Sequence, residues 1–373
     1  VVNSLTGCTS ENLRDPPAAK PRWQLQRHDA EPIRQPETKM LFLDDAQPLP
    51  LIPAELGRRH SAHYRLDTPF RAAARLQQSL WRARQPASDG LPFDPDKLTH
   101  LTGRLAAKLA KSPLRESRNF LDPDVLIETA RDVVYAERGA LMDEARLANN
   151  LISSSALTYN LGAFLKLHRE VAHRFVEELF PGHAGQIGLI LFEHSPARGD
   201  PALTADGTAY DLAFYIRRPD GSRTFIGIEV KFTEAMSEPE AEHRIRYDEL
   251  ANSSGLYRNP DAPALRKAPI QQLVREHLLA QAMVDAGLVD DAIFVLVAPE
   301  LNLDVQRAAA CYRTFLAHQP GKVSFLNVGL RRAIEAVRTA GAPEYADKLH
   351  DRYCDFTPVR RAVSEFLAAT PSA

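Results

Sequence analysis

Cysteine is scarce in this 373-residue chain, with only Cys8, Cys311 and Cys354 present, far apart and without a C-x-x-C pair. That spacing argues against a disulfide framework or a thiolate zinc site and suits a reducing compartment. No apolar run approaches the roughly 18 residues of a membrane span, so no membrane partner is expected. The opening residues, VVNSLTGCTSENLRDPP, lack a charged start followed by an apolar block. No secretory signal is read there, and a cytoplasmic location is the expectation. Charge of one sign is missing too: 46 Lys and Arg face 48 Asp and Glu. That balance neither favours nor excludes nucleic acid, because a binder can confine its positive charge to one face. There is no glycine-rich phosphate loop and no H-E-x-x-H string, so nothing points to a nucleotide triphosphatase or a zinc protease.

What is present has a clear order. Residues 1–50 are rich in Pro, Gln, Arg and Asp without periodicity, and are expected to form a disordered tail. In RLDTPFRAAARLQQSLWRARQ, Thr68 is a suitable N-cap and Pro69 a suitable first helical residue, with Phe70, Ala74, Leu80 and Trp81 as the apolar face. A loop, QPASDGLPFDPDK, follows. Residues 97–111 and 123–180 read as mainly helical, with a turn near ISSSALTYN. The last helix, GAFLKLHREVAHRFVEELF, carries an apolar stripe of Leu167, Val171, Phe175 and Leu179.

The period then changes. Strands are expected at 186–194, 209–218 and 223–234, the last two joined as a hairpin by Pro219-Asp220-Gly221. An amphipathic helix over 270–287 closes at Gly287, and a continuously apolar strand at 292–299 reads as covered on both faces. A helix near 303–318, a strand near 322–328 and a helix from 330 complete the pattern. The fold class is therefore α/β: an α-β-β-β-α-β core with a mixed central sheet flanked by helices, preceded by a helical region. The expected division is a tail (1–50), a mainly helical region (51–150), the α/β domain (151–345) and a helical extension (346–373).

The stretch GIEVKFTE, Gly227 to Glu234, carries the chemistry. Strand side chains alternate between faces, which sets Ile226, Ile228, Val230 and Phe232 opposite Gly227, Glu229 and Lys231. The preceding strand divides likewise, with Tyr210, Leu212, Phe214 and Ile216 opposite Asp211, Ala213 and Tyr215. Pairing through the short turn brings Asp211 alongside Glu229. Adjacent carboxylates repel, and one pKa rises unless a divalent cation sits between them. Carboxylate, water and phosphate oxygens are what Mg²⁺ prefers. Such an ion polarises a phosphodiester and activates a water, while a neighbouring lysine positions or deprotonates that water or neutralises phosphate charge.

Asp211 followed by Glu229-Val230-Lys231 in a hairpin, between two helices, resembles the PD-(D/E)XK nuclease superfamily. The strings LISSSALTYNLGAF, LFEHSPAR, AYDLAFYI and IGIEVKFTE are similar to a restriction-endonuclease-like bacterial branch of it, over residues 155–330. The resemblance implies a Mg²⁺-dependent nuclease, with Mn²⁺ as the alternative ion and DNA as the expected substrate. It implies Asp211 and Glu229 as metal ligands, assisted by the Val230 carbonyl, Lys231 as the catalytic lysine, and Gln271 or Gln272 near the site. Tyr210 stands where the literal motif has proline. Acid-x-Lys alone carries little weight, since Glu37-Thr38-Lys39 repeats it without a strand or partner acid. Relatives that make paired cuts are commonly dimers, so a homodimer is compatible with the resemblance. A nuclease-fold protein that binds nucleic acid or a protein partner without cutting is the alternative.

Other residues have two readings each. Glu193 is a third metal ligand or an anchor for the turn at Ser195-Pro196, and Glu178 reaches the metal or ends its helix in water. Glu234 is expected at the surface. Gln272, Arg275 and His277 face phosphates or solvent, with Gln272 and Arg275 sharing a helix face. Ser153, Ser154, Ser155 and Asn160 cap or connect helices. Arg71, Arg75 and Arg82 form a basic stripe that grips nucleic-acid phosphates or balances acids within the domain.

Overall fold

Helix ends form where the side chains allow it. Thr68 Oγ1 accepts the Arg71 amide ahead of Pro69, Asp122 accepts the Asp124 amide ahead of Pro123, and Ser153 accepts the Ser155 amide. The structure, a computed structural model, describes residues 48–85, 114, 117–318 and 322–370. Among the described residues, six α-helices come first: α1 (Ala54–Arg59), α2 (Pro69–Arg84), α3 (Pro123–Val134), α4 (Glu144–Asn149), α5 (Ser154–Leu167) and α6 (Arg169–Leu179). Strands β1 (Gln186–His194), β2 (Tyr210–Arg217) and β3 (Arg223–Val230) lead to α7 (Ile245–Ser254) and α8 (Gln271–Asp285). Then come β4 (Asp291–Ala298), α9 (Leu303–Phe315), β5 (Ser324–Gly329), α10 (Leu330–Thr339), α11 (Pro343–Tyr353) and α12 (Thr357–Ala369). The expected tail, the loop after α2 and the helix at 97–111 lie outside the described residues, except Pro48–Pro50 at the end of the tail and Gln85 at the start of the loop.

The strands form one five-stranded sheet in the order β1-β2-β3-β4-β5. The first two pairings are antiparallel and the last two parallel. The expected α-β-β-β-α-β core and its mixed sheet are present. The hairpin turn closes as its residues predict: Gly221 takes φ +86° and the Arg218 and Ser222 backbones pair across it.

Each sheet face has its own core. Leu212, Phe214, Ile226, Ile228, Val230 and Val295 pack with α2, α5, α6, α10, α11 and α12, through residues such as Leu76, Leu157, Phe175, Leu330, Leu349 and Val359. Phe225, Phe294 and Leu296 pack on the other side with Leu273, Leu278 and Tyr312 of α8 and α9. From Ala292 to Ala298 every side chain of β4 is buried in one core or the other, as its unbroken apolar run requires. The first core is also tied by polar contacts. Arg352 is fully buried and donates to the Asn119 carbonyl (2.7 Å) and to Gln78 Oε1 (3.2 Å), with its guanidinium 4.5 Å from the Trp81 ring centre.

Four expectations change. The long helix before β1 is two helices divided at His168, whose ψ of 73° leaves the helical region. Leu167 is therefore 40% exposed, while Phe175 stays in the core. Helix α7 was not anticipated, although Tyr247, Leu250, Ala251 and Ser254 bury at helical spacing. Strand β3 ends at Val230 rather than 234, because the Phe232 amide turns to the Glu234 carboxylate (2.7 Å) instead of continuing a ladder. Tyr210 joins the α8-side core, against strand alternation. The opposed small residues Ala213 and Gly227 leave room for its ring, and its hydroxyl donates to the Glu276 carbonyl (2.7 Å).

A Cβ on Gly227 would lie 2.5 Å from the Tyr210 ring and 2.9 Å from that of Phe225. Tyr210 cannot yield without losing its bond to α8. Gly227→Ala is expected to lower unfolding stability by about 1–3 kcal/mol, measured by urea titration; an unchanged midpoint would remove this packing argument.

Candidate active site

The site grows from strand register. Regular β2–β3 pairing runs to Leu212 opposite Ile228, and β1–β2 pairing sets Phe192 opposite Leu212. One step further, the same register places Glu193, Asp211 and Glu229 in a row across three adjoining strands. There the ladder gives way to a side chain: Asp211 Oδ2 accepts the Val230 amide at 2.8 Å. Glu193 takes a left-handed φ of +46° at the end of β1.

Lys231 follows β3 and stays attached to β4, its amide donating to the Val297 carbonyl at 2.9 Å. Its ammonium lies 2.8 Å from Glu229 Oε1 and 2.9 Å from Gln272 Oε1 on α8. The Gln272 amide nitrogen donates to Glu229 Oε1 and to Glu276 Oε1, both at 2.8 Å. Glu229, Lys231 and Glu276 are all buried, at 4%, 7% and 2% exposure.

Burial concentrates these charges. The Asp211 carboxyl is held well above the usual range by burial, then by Glu229 and Glu193. Burial and Glu229 push Glu193 up to about 7, against Arg146 and Arg198. Glu276 is raised well above its normal value by burial and by Glu229. Burial opposes the Lys231 charge, yet Glu229, Glu234 and Asp211 outweigh it and keep the ammonium protonated.

Among the described residues no ready-made cluster of three ligating groups is present; Glu229 Oε1 is turned to Lys231 and Gln272 instead. The donor set nevertheless fits a hard divalent ion. Its acids are short of positive charge, and Glu276 Oε2 is buried with no hydrogen-bond partner among the described residues. A cation beside Asp211, Glu193 and Glu229 would reverse the upward shifts.

The other candidates separate. Gln272, not Gln271, reaches the lysine; Gln271 is bonded to the Ala241 backbone through both ends of its amide. Glu234 is not at the surface, because its side chain is 13% exposed and accepts from the Ser154 hydroxyl (2.8 Å), the Phe232 amide and Arg146. It ties the start of α5 to the segment after β3. Glu178 is paired with Arg332 at 2.7 Å. His277 lies inside the α8-side core, bonded to Tyr312 Oη and the Val323 carbonyl, and burial lowers it to about 4. Asn160 accepts the Leu121 amide and donates to the Asn119 and Ala156 carbonyls, so it ties α5 to the segment before α3.

The basic stripe does not form as three surface cations. Arg75 is buried and bidentate to Asp67 (2.6 and 2.9 Å), and Arg71 meets the same carboxylate at 3.3 Å while 38% exposed. Burial lowers Arg82 to about 10. The acid at Asp67, four and eight residues before Arg71 and Arg75, accounts for this. Arg275 contacts Thr208 Oγ1 (3.3 Å) and Asp206 (3.6 Å). Glu276 and Arg146 were not singled out by the sequence. Only Glu276 had a readable signal, lying one helical turn beyond Gln272.

A mixed sheet with helices on both faces, carrying an acid row and a lysine at the antiparallel-to-parallel junction, defines an α/β protein of the restriction-endonuclease-like class. The family model described as the PD-(D/E)XK nuclease superfamily matches residues 65–355, and the chain belongs to that superfamily. The match is wider than the 155–330 expected, taking in α2 and α11. No curated protein and no solved structure matches the chain.

Glu193 has a folded pKa near 7 against 4.5 unfolded. Its contribution to stability is full below the lower value and lost as pH rises through the upper one. Without metal, Glu193→Gln should match the wild type near pH 4.5 and melt higher at about pH 8. Calorimetry across that range reads the gap, and coincident melting at the alkaline end would argue against a crowded Glu193 carboxylate.

Proposed function

We propose that the chain is a Mg²⁺-dependent nuclease that hydrolyses phosphodiester bonds in DNA, cutting internally. The observation that carries this reading is the Glu193–Asp211–Glu229 row with Lys231 bonded to its last member. Asp211, Glu229 and Glu193 would hold the ion, with the Val230 carbonyl assisting, and Mn²⁺ could replace Mg²⁺. When bound, the ion supplies a Lewis acid for the phosphoryl oxygen and lowers the pKa of a bound water.

The chain's own groups divide the remaining work. Lys231 is held protonated by its three acidic neighbours, which favours donation to a phosphate oxygen over removal of a proton from water. Gln272 keeps that ammonium directed by accepting from it at 2.9 Å. Asp211 remains in place because its second role, accepting the Val230 amide, binds it to the neighbouring strand.

The test is supercoiled plasmid incubated with purified protein, with and without Mg²⁺ or Mn²⁺. Cation-dependent nicking or linearisation is expected, and Glu229→Ala and Lys231→Ala should each slow it about 10²–10⁴-fold. Cleavage untouched by either substitution would sink the mechanism. Calorimetric titration with Mg²⁺ should show binding that Asp211→Asn weakens. A protein that retains DNA yet neither binds the cation nor cuts would instead be the non-catalytic binder.

A further inference from the structure

We propose that Glu276 is a positioning residue of this site: its carboxylate fixes the side-chain amide of Gln272, which in turn orients the Lys231 ammonium. The inference rests on the nuclease reading above. A primary amide has two ends of nearly equal shape and opposite chemistry. Lys231 Nζ can only donate, so it needs the Gln272 oxygen, 2.9 Å away. The amide nitrogen must then meet acceptors, and finds Glu229 Oε1 and Glu276 Oε1 at 2.8 Å each. Turned over, the amide would set its N–H groups against an ammonium and its oxygen against the two carboxyl oxygens that now accept from it. Glu276 completes the arrangement that prevents this.

Its placement is built in. Glu276 lies one turn beyond Gln272 on α8, so both side chains face the site. The Glu276 carbonyl accepts from Tyr210, whose ring covers Gly227, so the helix is pinned to the sheet at this residue. The side chain is 2% exposed, and Oε2 has no hydrogen-bond partner among the described residues. Such a buried carboxyl group with an unpartnered oxygen destabilises a fold whether or not it is ionised, and an apolar group of similar volume would be tolerated better. Packing alone does not account for an acid at this position.

Two variants of the full chain test the assignment. Glu276→Gln keeps an oxygen for the Gln272 amide, and Glu276→Leu removes it. The leucine variant should melt at or above the wild-type temperature yet lose about 10–100-fold in kcat on Mg²⁺-dependent DNA cleavage, with KM within about threefold. Its Gln272 side-chain N–H signals should lose protection from hydrogen exchange by NMR. Glu276→Gln should restore both that protection and most of kcat. A leucine variant that melts lower with kcat unchanged would make Glu276 structural and overturn the proposal. A glutamine variant falling as far as the leucine one would overturn it too, since charge rather than the accepted hydrogen bond would then matter. If the wild type does not cut DNA, the nuclease reading fails, and the Gln272 signals still decide this one. Protection unchanged in Glu276→Leu would then refute it, and protection lost would support it.

Discussion

A single hydrogen bond, from the Val230 amide to the Asp211 carboxylate, sets the geometry of the site. In an antiparallel ladder a backbone carbonyl normally takes that amide. Here the side chain takes it, and two things follow. The acid is fixed against Glu229, and β3 is released from β2 while the next residue, Lys231, remains bonded to β4. The lysine is therefore delivered beside the acids by a strand held on one edge only. The arrangement costs desolvation, visible in an Asp211 carboxyl raised well above its usual range. A group left in that condition favours a divalent neighbour more strongly than an exposed aspartate would.

The two cores explain why this geometry is rigid. Helices cover both sheet faces, and Asp211 and Glu229 stand on the inner strands β2 and β3, with Lys231 directly after β3, while Glu193 closes the row on the edge strand β1. Helix α8 has two duties. Leu273 and Leu278 anchor it in the core, while Gln272 and Glu276 present polar groups to the end of the sheet. The close approach of Tyr210 to Gly227 sets the helix height above the strands. A larger residue at position 227 would lift the glutamine away from the lysine.

Much of this was legible in the residues themselves. Alternation in IGIEVKF assigned faces correctly because a strand covered on both sides leaves no freedom in the pleat, and the short Pro-Asp-Gly turn fixed the register that opposes Asp211 and Glu229. The acid-x-lysine pattern gained weight only from that context. What could not be read depended on long-range partners. Nothing local says that Glu234 meets Ser154 some eighty residues earlier, or that Arg352 meets Gln78 and Asn119 more than two hundred residues earlier. Tyr210 departed from its face because the opposed small residues Ala213 and Gly227 left space beside it, a property of pairs rather than of single residues. The division at His168 is similar: the apolar stripe runs across it without interruption, and only the course of the backbone shows the break.

Arg352 has a wider implication. Its guanidinium joins α11 to Gln78 on α2 and to Asn119 ahead of α3, with Trp81 stacked against it. Helices from the two ends of the described chain thus share one buried cation beneath the sheet. A shortened fragment lacking either end would strand that charge among unpaired amides or leave the amides facing an empty slot. The segment in the middle that carries the acid row is thus enclosed by a buried clasp between residues that precede and follow it in sequence.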